Sequence, residues 1–125
     1  MRSHSLILIL IVLFNIQLCR GNSDTESYSD VVELRDRMGI ALNSGDDEAL
    51  LEIRDKLAAT DIGAAKKWVV DYYLGQVNWY LAIYYQQKNN KDAVKRCITQ
   101  GIADLNRSIV LNEGFADSYV LLAAF

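Results

Sequence analysis

Tyr72–Ala82 reads YYLGQVNWYLA. It carries four large aromatic side chains and a Leu-Gly pair, and it lacks the two-residue alternation of a half-buried strand. The chain has no proline to interrupt a helix. These residues therefore sit within a long helix predicted from about Ala64 to Gln87. None of them is a nucleophile, a general base or a metal ligand, and the rest of the chain has to say what such a helix is for.

Working outward, KNNK turns the chain into a fourth helix, predicted over about Asp92–Leu111. Val94, Cys97, Ile98, Gly101, Ile102, Leu105 and Ile109 share one of its faces. NEGF ends it, and a fifth helix starts near Phe115 with Tyr119 and Leu122 as its apolar residues. Upstream, Val31, Leu34, Met38 and Ala41 or Leu42 recur at three- and four-residue steps and define a first helix. NSGD stops it, with Gly45 free to take the positive φ of a helix end. Asp46, Asp47 and Glu48 open a second helix with charge suited to its positive end. Leu50, Ile53, Leu57 and Ala58 are its buried stripe, and ATDIGA breaks it, with Asp61 as the expected N-cap of the third helix. Short links between long helices favour antiparallel neighbours, so the predicted fold is all-α and made of helical hairpins.

Residues 1–21, MRSHSLILILIVLFNIQLCRG, have a basic start, an apolar run from Leu6 to Leu18 and a small or polar end. That is the pattern of a secretory signal peptide, and the run is short and interrupted for a membrane span. Cys19 and Gly21 stand three and one residues before Asn22, which makes Asn22 the expected mature N-terminus. The rival reading takes IQLC as a lipobox and Cys19 as a lipidated first residue. The expected location is secreted or periplasmic, or an outer-membrane lipoprotein if Cys19 carries lipid. Residues 22–28 form a polar lead-in, and residues 29–125 the helical domain.

The whole chain holds 13 basic and 16 acidic residues, a net charge of −3. Cleavage removes Arg2 and Arg20 but no acid, which leaves 11 basic against 16 acidic residues, a net −5. An exported, acidic chain is a poor partner for nucleic acid. The only histidine, His4, leaves with the leader, as does Cys19, so Cys97 is the one remaining cysteine. An internal disulfide, a Cys/His zinc site and a nucleophile-His pair are all excluded in the mature chain. No cofactor is expected.

The segment from Tyr72 to Phe125 resembles the tetratricopeptide repeat, a helix-turn-helix unit of about 34 residues with an aromatic-x2-Leu-Gly-x2-Tyr opening. Leu74-Gly75 supplies the Leu-Gly pair, Gly101, Leu105 and Ser108 the small-large-small pattern of a second helix, and Tyr119, Leu122 and Ala123 the opening of another unit. There are departures. Tyr72 and Trp79 fall one residue late, with Asp71 and Asn78 in the places of the family's aromatics, and Glu113 stands where the pattern has proline. Leu74 to Leu122 spans 48 residues, close to two extra turns in each helix. The resemblance implies a solenoid of stacked antiparallel hairpins at about 29–59 and 64–111, with an incomplete one from 115. The apolar YVLLAAF ending suggests the N-terminal part of a longer array. It also implies a scaffold that binds a protein or peptide and does no catalysis.

Tyr72, Leu74, Gly75, Trp79, Gly101, Leu105, Ser108, Tyr119, Leu122 and Ala123 are the expected repeat-packing residues, and Tyr80 and Tyr84 the candidate partner-binding ones. Cys97 fits an inert buried thiol, and Lys88, Lys91, Lys95 and Arg96 fit either a solvated helix start or an anion-binding patch. Asn106-Arg107-Ser108 is formally a glycosylation sequon inside a helix. The enzymatic alternative is a piece of an all-α glycosidase or lyase, for which Asp61, Asp71 and Asp104 are the available acids. Spacing alone brings no two of them together.

Overall fold

Residues 27–125 are described by the computed structural model, and all regular structure among them is helical. The elements are α1 (27–44), α2 (Asp47–Ala59), a 3-10 turn at Ala64–Lys66, α3 (Lys67–Gln87), α4 (Lys91–Leu111) and α5 (Ala116–Ala124). The expected leader and cleavage point, and Cys19, lie outside the described residues. Helix α1 already contains Ser27 and Tyr28, which the sequence reading gave to the lead-in. The Lys66 ammonium sits 5.5 Å from the centre of the Tyr28 ring, a cation–π contact that ties this first turn to the 3-10 segment.

The two hairpin turns are built alike. Gly45 has φ +67°, its N–H donates to Leu42 O (3.2 Å), and the Asp46 N–H donates to Ala41 O (2.9 Å), the paired bonds of a left-handed helix stop. The Asp46 carboxylate then caps α2 by accepting from the Ala49 N–H at 2.9 Å. Between α3 and α4, Asn89 has φ +56°, its N–H donates to Gln86 O (3.0 Å), and the Asn90 N–H donates to Tyr85 O (2.9 Å). The Asn90 side chain in turn accepts from the Ala93 N–H at 3.1 Å. One residue ends each first helix, and the next starts each second one.

Asp61 does not cap a helix. Its carboxylate accepts from the Gly63 N–H (2.9 Å) and bends the loop, while Gly63 at φ +83° enters the 3-10 turn with no side-chain cap.

One apolar cluster joins Val31, Leu34, Met38 and Ala41 of α1 to Leu50, Ile53 and Leu57 of α2 and Val70, Leu74, Val77 and Leu81 of α3. Ala58 is exposed, because it lies about 100° around the helix from Leu57. On α4 the buried residues are Ala93, Cys97, Gly101, Asp104, Leu105 and Ser108, while Val94, Ile98, Ile102 and Ile109 are only half-buried. The buried face is rotated from the predicted stripe toward the small and polar side chains.

Helices α3 and α4 run antiparallel, since contacts pair Asp71 with Arg107, Asn78 with Asp104 and Trp68 with Ser108, so that one number rises as the other falls. They are in tight contact at Gly75. A Cβ there would stand 2.5 Å from Leu105 Cγ, and Leu105 is fully buried. Gly75→Ala is expected to destabilise the chain by about 1–3 kcal/mol in chemical denaturation. Gly39→Ala, on an exposed turn of α1 with nothing within 4 Å, should stabilise it by about 0.5–1 kcal/mol. Equal effects at the two glycines would contradict the packing described.

Candidate functional site

The α3–α4 interface is polar where a helix pair of this length is ordinarily apolar. Asp71, Asn78, Asp104 and Ser108 are each 0–1 % exposed. Two of them, Asp71 and Asn78, lie on α3, each directly before an aromatic residue. The aromatics one residue further on, Tyr72 and Trp79, turn partly outward toward α5: Tyr72 meets Phe115 edge-on at 5.0 Å and Trp79 meets Phe125 at 5.1 Å. Trp68, which the sequence reading passed over, packs on the other side of Phe115 at 4.7 Å.

Burial of ionised groups is costly unless each finds partners. Asp71 accepts from Lys67 Nζ at 2.9 and 3.1 Å and from Arg107 Nε at 3.4 Å. The same Arg107 donates through its Nη2 to Asp104, which also accepts from Gln100 Nε2 (3.0 Å) and Asn78 Nδ2 (2.9 Å). A second Asn78 bond goes back to Leu74 O at 3.0 Å, and Asn78 Oδ1 is left as a buried acceptor with no partner in the protein. Burial pushes the Asp104 carboxyl above its ordinary value, against the opposing pull of Gln100, Arg107 and Asn78. The Ser108 hydroxyl bonds to Trp68 O (2.9 Å) and shares a contact with the Ser118 hydroxyl (3.0 Å), which fastens α5 to the pair.

The structure thus brings together two of the three acids named from the sequence, Asp71 and Asp104, and leaves Asp61 in its loop. Ser108 of the sequon is fully buried and Asn106 exposed. Leu74, Gly75, Gly101 and Leu105 are buried in the α3–α4 contact, whereas on α5 Leu122 is half-buried, Ala123 exposed and Tyr119 45 % exposed. Tyr80 is half-buried and its hydroxyl accepts from Gln76 Nε2 at 3.0 Å. Tyr84 packs edge-on against Tyr85 at 5.5 Å, with Lys88 over its face.

A groove of about 1000 Å³ opens between α2 and α4, with α3 as its floor. The polar interface forms part of that floor, through Asp71, Asn78 and Asp104, and Cys97, Leu74 and Val70 supply apolar patches. Arg54 and Ala58 stand on the α2 wall and Lys95, Arg96 and Thr99 on the α4 wall. Periodicity could not reveal this site, because it belongs to the gap between two helices that both pack on a third. Among the described residues no group of three or more His, Cys, Asp or Glu side chains could hold a metal ion, and no helix is long and apolar enough to cross a membrane.

Arg107 is the cation shared by both buried acids, and its own side chain is 47 % exposed. Arg107→Ala is expected to cost about 1–3 kcal/mol at neutral pH, below the value for a wholly buried pair because of solvent screening. Removal of the cation raises the folded-state pKa of Asp104 further. The ionised carboxylate then costs stability above that pKa, and the cost disappears as pH falls through it toward the ordinary Asp range near about 4. Denaturation of both proteins between neutral and acidic pH should show the gap narrowing as pH drops; a constant gap would remove Asp104 from the account.

Comparison of the chain with known protein families, with curated proteins and with solved structures finds no match in any of the three.

Proposed function

We propose that this chain is an exported, non-catalytic scaffold of tetratricopeptide-like hairpins and that it binds a segment of another protein. The observation that carries the reading is the open groove between α2 and α4, which combines small apolar patches with charged walls. Such a lining suits a polypeptide, whose apolar and charged side chains meet both kinds of surface. Internal repetition is supported by the two matching turns, in which Gly45-Asp46 and Asn89-Asn90 do the same two jobs. Export rests on the leader pattern of residues 1–21.

The convergence of Asp71 and Asp104 is the one observation that favours the glycosidase or lyase alternative. Their oxygens already accept from Lys67, Arg107, Gln100 and Asn78. Groups so engaged hold α3 against α4, and a carboxylate that must take up or release a proton on a substrate needs a free oxygen.

The test is selection of binding peptides from a random display library on the purified exported protein. Their affinities are then measured against Ala58→Arg and Thr99→Arg, two exposed wall positions where a long side chain fills the groove. Loss of binding by about tenfold or more is expected. Peptides that bind both variants unchanged but fail on Tyr80→Ser or Tyr84→Ser would move the site to the tyrosine face of α3.

A further inference from the structure

We propose that the α2–α4 groove is an anion-recognising slot and that its occupant is an acidic polypeptide segment, whose carboxylates lie between Arg54 on one wall and Arg96 on the other. This rests on the groove as the binding site and adds the chemistry of the partner.

Arg54 and Arg96 come from different helices, yet both line the groove and both act on the same two groups at its floor, the Cys97 thiol and the Tyr85 hydroxyl. Burial pushes that thiol and that hydroxyl above their ordinary values, and the two guanidinium groups pull each of them back. Two like charges that face one gap repel each other unless an anion lies between them. The acids nearby do not fill that role. Asp55 meets Arg54 only at 3.5 Å from the adjoining position and is itself 75 % exposed. Asp47 stands beside Tyr85, and Asp71 and Asp104 are engaged by Lys67 and Arg107. Arg96 and its neighbour Lys95 have no carboxylate partner among the described residues.

The groove is therefore cationic on a chain whose net charge is negative. That reversal selects partners by charge and steers their approach. Arginine rather than lysine on facing walls suits planar, two-pronged oxyanions such as carboxylates. An extended segment also meets the apolar Leu51 and Ala58 on the α2 wall. An isolated inorganic anion makes no such contact. Both arginines project from exposed or half-exposed positions of helices that are packed through other faces, so their removal spares the core.

The experiment is fluorescence anisotropy on the full exported chain with three short labelled peptides of equal length, rich in Glu, in Gln or in Lys. The variant is Arg54→Gln with Arg96→Gln, and Arg35→Gln with Lys56→Gln serves as a charge-matched control outside the groove. The Glu peptide is expected to bind the wild type, to bind less tightly as salt rises, and to lose about tenfold in affinity on the arginine variant but not on the control. Equal loss on both variants means a diffuse charge effect and overturns the slot. Displacement of the Glu peptide by inorganic phosphate at matched ionic strength overturns the polypeptide commitment. Tight binding of the Gln or Lys peptide, lost on Ala58→Arg, refutes the charge class while the groove survives as a binding site. If no peptide binds, and none is selected from the library, both readings fail together.

Discussion

The fold depends on how closely α3 and α4 approach at Gly75 and Leu105. With no side chain at position 75, the Leu105 side chain takes the place a Cβ would occupy and the two backbones draw together. That closeness decides what else the interface can hold. Apart from Leu74 and Leu105, the buried positions around this contact carry short side chains: Asp71 and Asn78 on α3, Gly101, Asp104 and Ser108 on α4. Short side chains that fill such a gap and reach across it are largely polar, so a close approach and a polar interface arrive together.

A polar interface stabilises less than an apolar one of equal area, because each group gives up water to gain a partner. What it adds is register. Slide α4 by one turn and Arg107 leaves Asp71 while Asp104 leaves Asn78, so a displaced arrangement breaks both contacts that tie the buried acids across the interface. An apolar stripe of Leu and Ile would tolerate such slips more readily. Bulk burial is left to the other side of α3, where Val70, Val77 and Leu81 meet α1 and α2. Helix α3 thus has two faces with different tasks: one buries apolar area, and the other sets alignment.

This division explains what could be read from the sequence. Helix number, the all-α class, the stop at Gly45 and the start at Asp46 follow from local rules of backbone conformation and capping, and local rules are visible in one chain. The Asn89-Asn90 turn was equally local but less conspicuous, since asparagine takes positive φ less readily than glycine. Hydrophobic periodicity misplaced the α4 face. It counts Val94, Ile98, Ile102 and Ile109 as inward and polar residues as outward, whereas here Asp104 and Ser108 are inward and those four sit at the margin. Asp71 and Asn78 stood out as polar residues where aromatics were expected, but their partners are 26 to 36 residues away and only the folded chain joins them. Arg54 and Arg96 carry no joint signal at all, because their meeting depends on the separation of α2 and α4 across α3.

The same separation links stability to binding. Helices α2 and α4 each pack on α3 and scarcely touch one another, so the floor of the groove is the register-setting face of α3, prolonged past the edge of α4. The proposed occupant would cover Lys67 and Arg107, whose side chains are about half exposed, and so strengthen their field upon the buried Asp71 and Asp104. Occupancy then favours the aligned state of α3 and α4 over any slipped one, and by linkage whatever fixes that alignment favours occupancy. The polar network serves both ends: its buried acids set the alignment, and the cations that pair them, Lys67 and Arg107, face the groove. In this arrangement the interface that costs the fold some stability is also the surface that gives the groove its chemistry.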